Sequence, residues 1–404
     1  MAKQQKEVKK FEFSKVGGIM DNIAKTVPIQ IEKELKQKEF ISTGNYLLNA
    51  ALSSNIYRGI KAGKIFGVCG PSGCGKSFIA YSISRQAQKQ GYSVIYIDTE
   101  ESIELEQLPN YGLDINLDKF RLVRTNKVED VNIFITQILD ELKVQKLAGY
   151  ELPKILLVVD SIGMMSSNKE KEDLLKGEVK QDMTRAKQLN ALFRSISGDL
   201  GYLDIPAIFC NHTYMEIGSY VPQQISKGGQ GLVYAASVLG FLNKSKLKDG
   251  SEDSMDLGQS GIVVTFQTQK NRLAKPKKIK FEISFNTGLN AYTGLEDFCR
   301  PEFFDKIGIA QGKMELDKST GELSFKPGGI KWYVRHLDKS LSTKNLFNSK
   351  VFTTEVLDAM EPILYEYFRY KNLYEIEEAE KEFEQIIEPE DEEDDSPLSA
   401  DDLF

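Results

Sequence analysis

Eight residues, Gly70 to Ser77 in the run KIFGVCGPSGCGKS, constrain this chain more than any other stretch. GPSGCGKS satisfies G-x-x-x-x-G-K-[ST] at every fixed position. Glycines at 70, 73 and 75 let the backbone turn its amides inward as a nest for anions, which a Cβ would obstruct. Gly70, Pro71, Ser72, Gly73, Cys74, Gly75, Lys76 and Ser77 then cradle the phosphates of a nucleoside triphosphate. Lys76 meets the β and γ phosphates and the Ser77 hydroxyl ligates magnesium. The context agrees, with an apolar strand-like run before the loop and KSFIAYSISRQAQKQ, at helical spacing, after it.

The rest of the composition excludes several classes. The chain has 404 residues, enough for two to three domains, with 41% apolar and 27% charged residues, the balance of a soluble globular protein. No uncharged apolar run approaches the roughly 18 residues of a membrane span. The N-terminus MAKQQKEVKKFEF is charged with no apolar core behind it, unlike a secretory signal, so a cytoplasmic location is expected. Cys69, Cys74, Cys210 and Cys299 form no C-x-x-C pair, and two of them lie in or beside the phosphate loop, so all four read as reduced thiols.

Charge is unevenly placed. From Glu375 to Phe404 fifteen acidic residues face a single lysine, a net of −14, which leaves +7 on residues 1–374 of a chain whose total is −7. A basic body is compatible with a polyanionic partner, and the tail beyond 374 has the composition of disorder.

Along the chain, residues 1–39 read as a lysine-rich arm with one amphipathic segment, Val16 to Ile29, broken at Pro28: either a flexible arm or an oligomerisation arm that docks on another subunit. From Phe40 a helix signal in FISTGNYLLNAAL leads to the loop. Unbroken apolar runs VIYID (94–98), ILLVVD (155–160) and AIFCN (207–211), separated by helical stretches such as 130–145, predict a mostly parallel, doubly wound α/β sheet over 40–296. IVVTFQTQ and IKFEISF around KNRLAKPKK predict a hairpin at one end of that sheet. Residues 297–374 read as a smaller α+β unit holding Trp332, and 375–404 as the acidic tail.

Two carboxylates complete the chemistry of the loop. Asp160 ends the strand ILLVVD, where an acidic residue anchors the magnesium ion. Glu100, just past VIYID, is placed to take a proton from an attacking water, with Glu101 beside it as the alternative base.

Taken together, GPSGCGKS, VIYIDTE, VVDS, FCNH and KNRLAKP occur in the order found in the RecA-type recombinases, and STGNYLLNAAL resembles their entry helix. EVKQDMTRAKQLNALFR is similar to the UvsX strand-exchange proteins of large tailed phages. The resemblance implies a RecA-type ATPase that uses ATP and Mg2+, forms helical filaments on single-stranded DNA, pairs it with homologous double-stranded DNA and exchanges strands, with single-strand-binding and mediator proteins as further partners, in the cytoplasm of an infected cell. It makes Glu100 the catalytic base, His212 the sensor of the γ-phosphate, and Lys270 with Arg272 a basic pair that reaches a neighbouring subunit's ATP. It also makes Ser166–Met183 and Thr213–Leu232 the DNA-binding loops; within and beside them Lys180, Arg185 and Lys227 are suited to phosphates, Tyr214 and Tyr220 to bases, and Gly228 and Gly229 let the second loop reshape. Where RecA stacks a tyrosine on adenine this chain aligns Gln107, with Tyr111 four residues on. A ring helicase on the same core is the competing reading, against which stands the short stretch ahead of the core; a small-molecule kinase is a third.

Overall fold

The structure is a computed structural model and describes residues 13–28, 38–177, 183–215, 224–226, 230–248, 259–316, 321–372 and 374–375. The chain forms two compact units, Met1–Phe368 and Arg369–Phe404. In the second, the described residues are tied by Arg369 donating to Glu375 Oε2 at 2.6 Å and by the Asn372 amide donating to the same oxygen at 3.0 Å. Every candidate site residue with a described position lies in the first.

That unit opens with α1 (Phe13–Ala24), β1 (Phe40–Ile41), α2 (Tyr46–Ser53) and β2 (Ile60–Lys61). Then strand and helix alternate: β3 (Ile65–Gly70), α3 (Lys76–Lys89), β4 (Ser93–Asp98), β5 (Phe120–Arg124), α4 (Val128–Leu147), β6 (Ile155–Asp160), α5 (Asn168–Leu175), α6 (Thr184–Leu203) and β7 (Ala207–Met215). After β8 (Gln224–Ser226) and α7 (Gly231–Ala235) come the long strands β9 (Val238–Lys248) and β10 (Gln259–Asn271), then β11 (Lys278–Ser284) and β12 (Gly288–Leu289). The main sheet has the order β12-β11-β10-β9-β3-β7-β6-β4-β5. From β9 to β5 every neighbouring pair is parallel, and β10 and β11 form the expected antiparallel hairpin.

Why the apolar runs are unbroken is visible in the packing. Side chains alternate across a strand, and here both faces are covered. Val68, Tyr96, Val158 and Ile208 join one core with Leu47 and Leu48 of α2 and Ile79 and Ile83 of α3. Their successors Cys69, Ile97, Val159 and Phe209 join the other with Val131 and Ile135 of α4 and Leu189 and Phe193 of α6. All four cysteines are buried, and no disulfide joins any two of them.

After β12 the chain adds α8 (Phe304–Ile307), the antiparallel set β13 (Ile309–Leu316), β14 (Leu323–Val334) and β15 (Lys339–Leu341), and α9 (Thr354–Phe368). Phe298, Trp332, Val334 and Met360 pack into the α2/α3 core.

One expectation is revised. The segment Ser166–Met183 lacks apolar periodicity and reads as loop, yet α5 forms inside it. A reciprocal capping box explains this: the Glu170 amide donates to Ser167 Oγ at 3.0 Å and the Ser167 amide donates to the Glu170 carboxylate at 2.9 Å. Local capping built a helix that no buried face required.

Close packing at Gly240 of β9 gives a test of the core. A Cβ there would lie 2.0 Å from the ring of fully buried Phe266. Gly240→Ala is expected to cost about 1–3 kcal/mol by overpacking, read as a lower guanidinium midpoint; an unchanged midpoint would show that the ring yields freely.

Candidate nucleotide site

The phosphate loop joins the end of β3 to the start of α3 and so lies at the N-terminus of a helix, where anions are favoured. Gly73 and Gly75 hold φ of 66° and 98°, the left-handed region, and a Cβ on Gly70 would lie 2.6 Å from Cys74 Sγ. Lys76 is only 6% exposed, and its Nζ donates to the carbonyls of Gly70 and Pro71 at 3.1 and 2.9 Å. An ammonium so buried among carbonyls is placed to take an anion as partner, and the loop fits a phosphate chain.

Asp160 stands at the carboxyl end of β6, two strands from the loop. Ser77 Oγ donates to its Oδ2 at 2.6 Å, and the buried Tyr96 hydroxyl donates to the same oxygen at 2.9 Å. Burial pushes the Asp160 carboxyl above its ordinary range, against the hydrogen bonds from Ser77 and Tyr96. A buried carboxylate beside a hydroxyl is a hard-oxygen donor set that a magnesium ion would relieve and that suits it. The Asp160–Ser161 peptide is cis.

Between these lies the second carboxylate. Glu100 follows β4 and is held by Asp98, which accepts from the Glu100 and Ile103 amides at 3.1 and 2.9 Å. Thr99 and Ser161 exchange bonds across the strand ends, the Thr99 hydroxyl donating at 2.5 Å and the Ser161 amide at 2.9 Å. Ser161 Oγ then donates to Glu100 Oε1 at 2.6 Å, and His212 Nε2 meets the same oxygen at 2.7 Å. The hydrogen bond from His212 holds the Glu100 carboxyl down at about 2, with burial working against it and Ser161 adding to the lowering. Glu101 is exposed and its backbone has φ of 52°, so the geometry separates the two glutamates that the sequence left as alternatives.

A profile of the RecA N-terminal domain matches residues 16–290, more than half of the chain. The chain belongs to the RecA family. It is 28% identical over 306 residues to the recombination and repair protein of Enterobacteria phage T4, covering 74% of this chain and 73% of that one. It is 27% identical to RecA of Nitratiruptor sp. over 282 residues, 69% and 75% of the two chains, and 27% identical to RecA of Sulfurimonas denitrificans over 304 residues, 73% and 81%.

Lys270 and Arg272 of this RecA-family chain sit elsewhere. Lys270 Nζ donates to the carbonyls of Val233 and Tyr234 at 2.8 Å each, closing the C-terminal end of α7, and burial lowers its pKa with help from the Arg272 charge. Arg272 is exposed and lines an open cleft of about 550 Å³ with Lys187, Asn190 and Arg194 of α6 and Tyr234 of α7. Lys187, Asn190 and Arg194 were not singled out in the sequence, although their spacing of three and four puts them on one helix face. Tyr96 was missed for another reason: inside an apolar run its hydroxyl gives no pattern.

Of the expected DNA contacts, Tyr214 is half exposed on β7, past His212, where Ile225 of β8 pairs with it. Arg185 donates to the Met165 carbonyl at 3.0 Å and braces the base of the first loop. Lys180, Tyr220, Lys227, Gly228 and Gly229 lie outside the described residues. Gln107 is exposed, whereas Tyr111 stacks on Tyr81 at 5.1 Å and meets Phe78 edge-on at 5.5 Å, both on α3.

A lowered carboxyl has a signed consequence. Because Glu100 is held at about 2 against an ordinary 4.5, its hydrogen bonds stabilise the fold above pH 4.5 and that contribution is lost as pH falls toward 2. His212→Ala is therefore expected to flatten the acid limb of stability in that window, measured by urea unfolding at a series of pH values; an acid limb identical to the parent's would deny the pair.

Proposed function

We propose that this chain is a DNA recombinase that assembles on single-stranded DNA with ATP, pairs the bound strand with homologous duplex and exchanges strands, serving recombination, repair and recombination-dependent replication. The observation that carries the proposal is the meeting of Lys76, Ser77, Asp160, Glu100 and His212 at one edge of a parallel sheet, in a RecA-family chain similar to a phage recombination and repair protein.

Each residue has a part. Residues 70–77 bind the triphosphate and Lys76 neutralises it. Ser77 and Asp160 hold magnesium, which when bound supplies charge neutralisation along the phosphates. Glu100 orients the attacking water and takes its proton. A base with a carboxyl held at about 2 is a poor acceptor, so drawing His212 away toward a γ-phosphate restores its basicity. His212 lies on β7, the strand that runs on into the second candidate DNA loop, so the same movement reports the nucleotide to the DNA. In this reading 1–39 serve as an oligomerisation arm, 40–296 as the ATPase core, 297–374 as a C-terminal subdomain and 375–404 as an acidic tail.

Lys270 and Arg272 act on a neighbouring subunit's ATP, which makes turnover depend on assembly. The phosphates of DNA run along Lys180, Lys227 and the Lys187/Arg194 face of α6, while Tyr214 and Tyr220 stack on bases. Single-strand-binding and mediator proteins are the expected accessory partners. Among the described residues no helix is long and apolar enough to cross a membrane.

Electron microscopy with single-stranded DNA and a non-hydrolysable ATP analogue tests this directly. Helical filaments that exchange strands with homologous duplex once ATP is supplied are expected; closed rings would select a helicase instead. Glu100→Gln is expected to keep nucleotide binding and filaments but to lower turnover by about 100-fold or more, and unaltered turnover would remove Glu100 as the base.

A further inference from the structure

Lys244 approaches the phosphate loop from a strand outside it. It lies on β9, which pairs in parallel with β3. Leu242, two residues earlier and so on the same face of the strand, lies 3.0 Å from where a Cβ on Gly70 would sit. Lys244 is thereby directed at the loop's tip. Its Nζ donates to the Ser72 carbonyl at 3.3 Å, and a Cβ built on Gly73 would come within 2.9 Å of that nitrogen. The absent side chain at Gly73 thus leaves the room that the ammonium takes.

Ser72, Gly73 and Lys244 are all exposed, so the ammonium is presented to solvent at the tip, and the Ser72 carbonyl takes one of its three donors by a long bond. Its charge also reaches the loop's interior: burial raises the pKa of the Cys74 thiol, and the charges of Lys76 and Lys244 both pull against it. A bound triphosphate carries more negative charge than Lys76 alone balances. A flexible four-carbon stem anchored beside the amides that cradle those phosphates lets the ammonium turn from a neutral carbonyl to a charged oxygen.

We propose that Lys244 is a second phosphate-binding lysine acting in cis, donating to a phosphate oxygen of the nucleoside triphosphate held by Gly70–Ser77. This rests on reading that loop as the nucleotide site. The charge is distinct from that of Lys270 and Arg272, which are placed with α7.

The test is the affinity of the full-length protein for the magnesium complex of ATPγS, without DNA, at several salt concentrations. Lys244→Gln keeps a donor for the Ser72 carbonyl but not the charge, Lys244→Arg keeps the charge, and Lys76→Ala controls the site itself. Lys244→Gln is expected to bind about tenfold more weakly with a shallower salt dependence, and Lys244→Arg within about twofold of the parent, as for one charge-assisted hydrogen bond. Melting temperatures without nucleotide should be the same for all the Lys244 variants, since the residue is exposed. Parent-like affinity and salt slope in Lys244→Gln, with binding lost in Lys76→Ala, would overturn the Lys244 proposal alone by making it a brace for the loop. Equal affinity in the parent and Lys76→Ala would instead overturn the reading of the loop, and the proposal with it.

Discussion

The hydrogen bond between His212 and Glu100, 2.7 Å long, is where the candidate nucleotide site touches the strand leading to the second candidate DNA loop. Everything else at the site is built on one side of it or the other. On one side stand the phosphate loop, Ser77 and Asp160; on the other, β7 runs on to Met215 and pairs with β8. A carboxylate has one oxygen here shared by His212 and Ser161, and losing the imidazole would leave that oxygen with a single hydroxyl donor. The bond therefore sets both how basic Glu100 is and where His212 rests.

That meeting is a consequence of sheet order. β3, β7, β6 and β4 are neighbours in the order β3-β7-β6-β4, all parallel, so their carboxyl ends lie on one edge. Gly70, Asp160 and Asp98 end β3, β6 and β4, His212 lies within β7, and register pairs Gly70 with His212 and Asp98 with Asp160. Ligands gather at that edge of an open parallel sheet. Burial on both faces fixes the register, because a one-residue slip would exchange the side chains of the two cores.

Much of this is legible in the amino-acid sequence. Unbroken apolar runs point to the parallel sheet, glycine spacing to the loop, acidic residues at or just past strand ends to Asp160 and Glu100 as candidates, and the family resemblance to His212. What was not legible depends on contacts between distant segments. Tyr96 looked like one more apolar strand residue, and only its neighbour across the sheet makes its hydroxyl a ligand to Asp160. The cationic face of α6 acquires meaning only when α7 and Arg272 close a cleft over it. α5 was hidden because its stability lies in a capping box and not in a buried stripe. That Glu100 faces His212 while Glu101 is exposed depends on the backbone, which has a positive φ at Glu101.

The most direct measurement is ATP turnover with and without single-stranded DNA in the parent and in His212→Ala, alongside nucleotide affinity. If the His212–Glu100 bond couples the two ends of the site, DNA stimulation is lost in the variant while ATP is still bound; stimulation of the same size in both proteins would contradict the coupling.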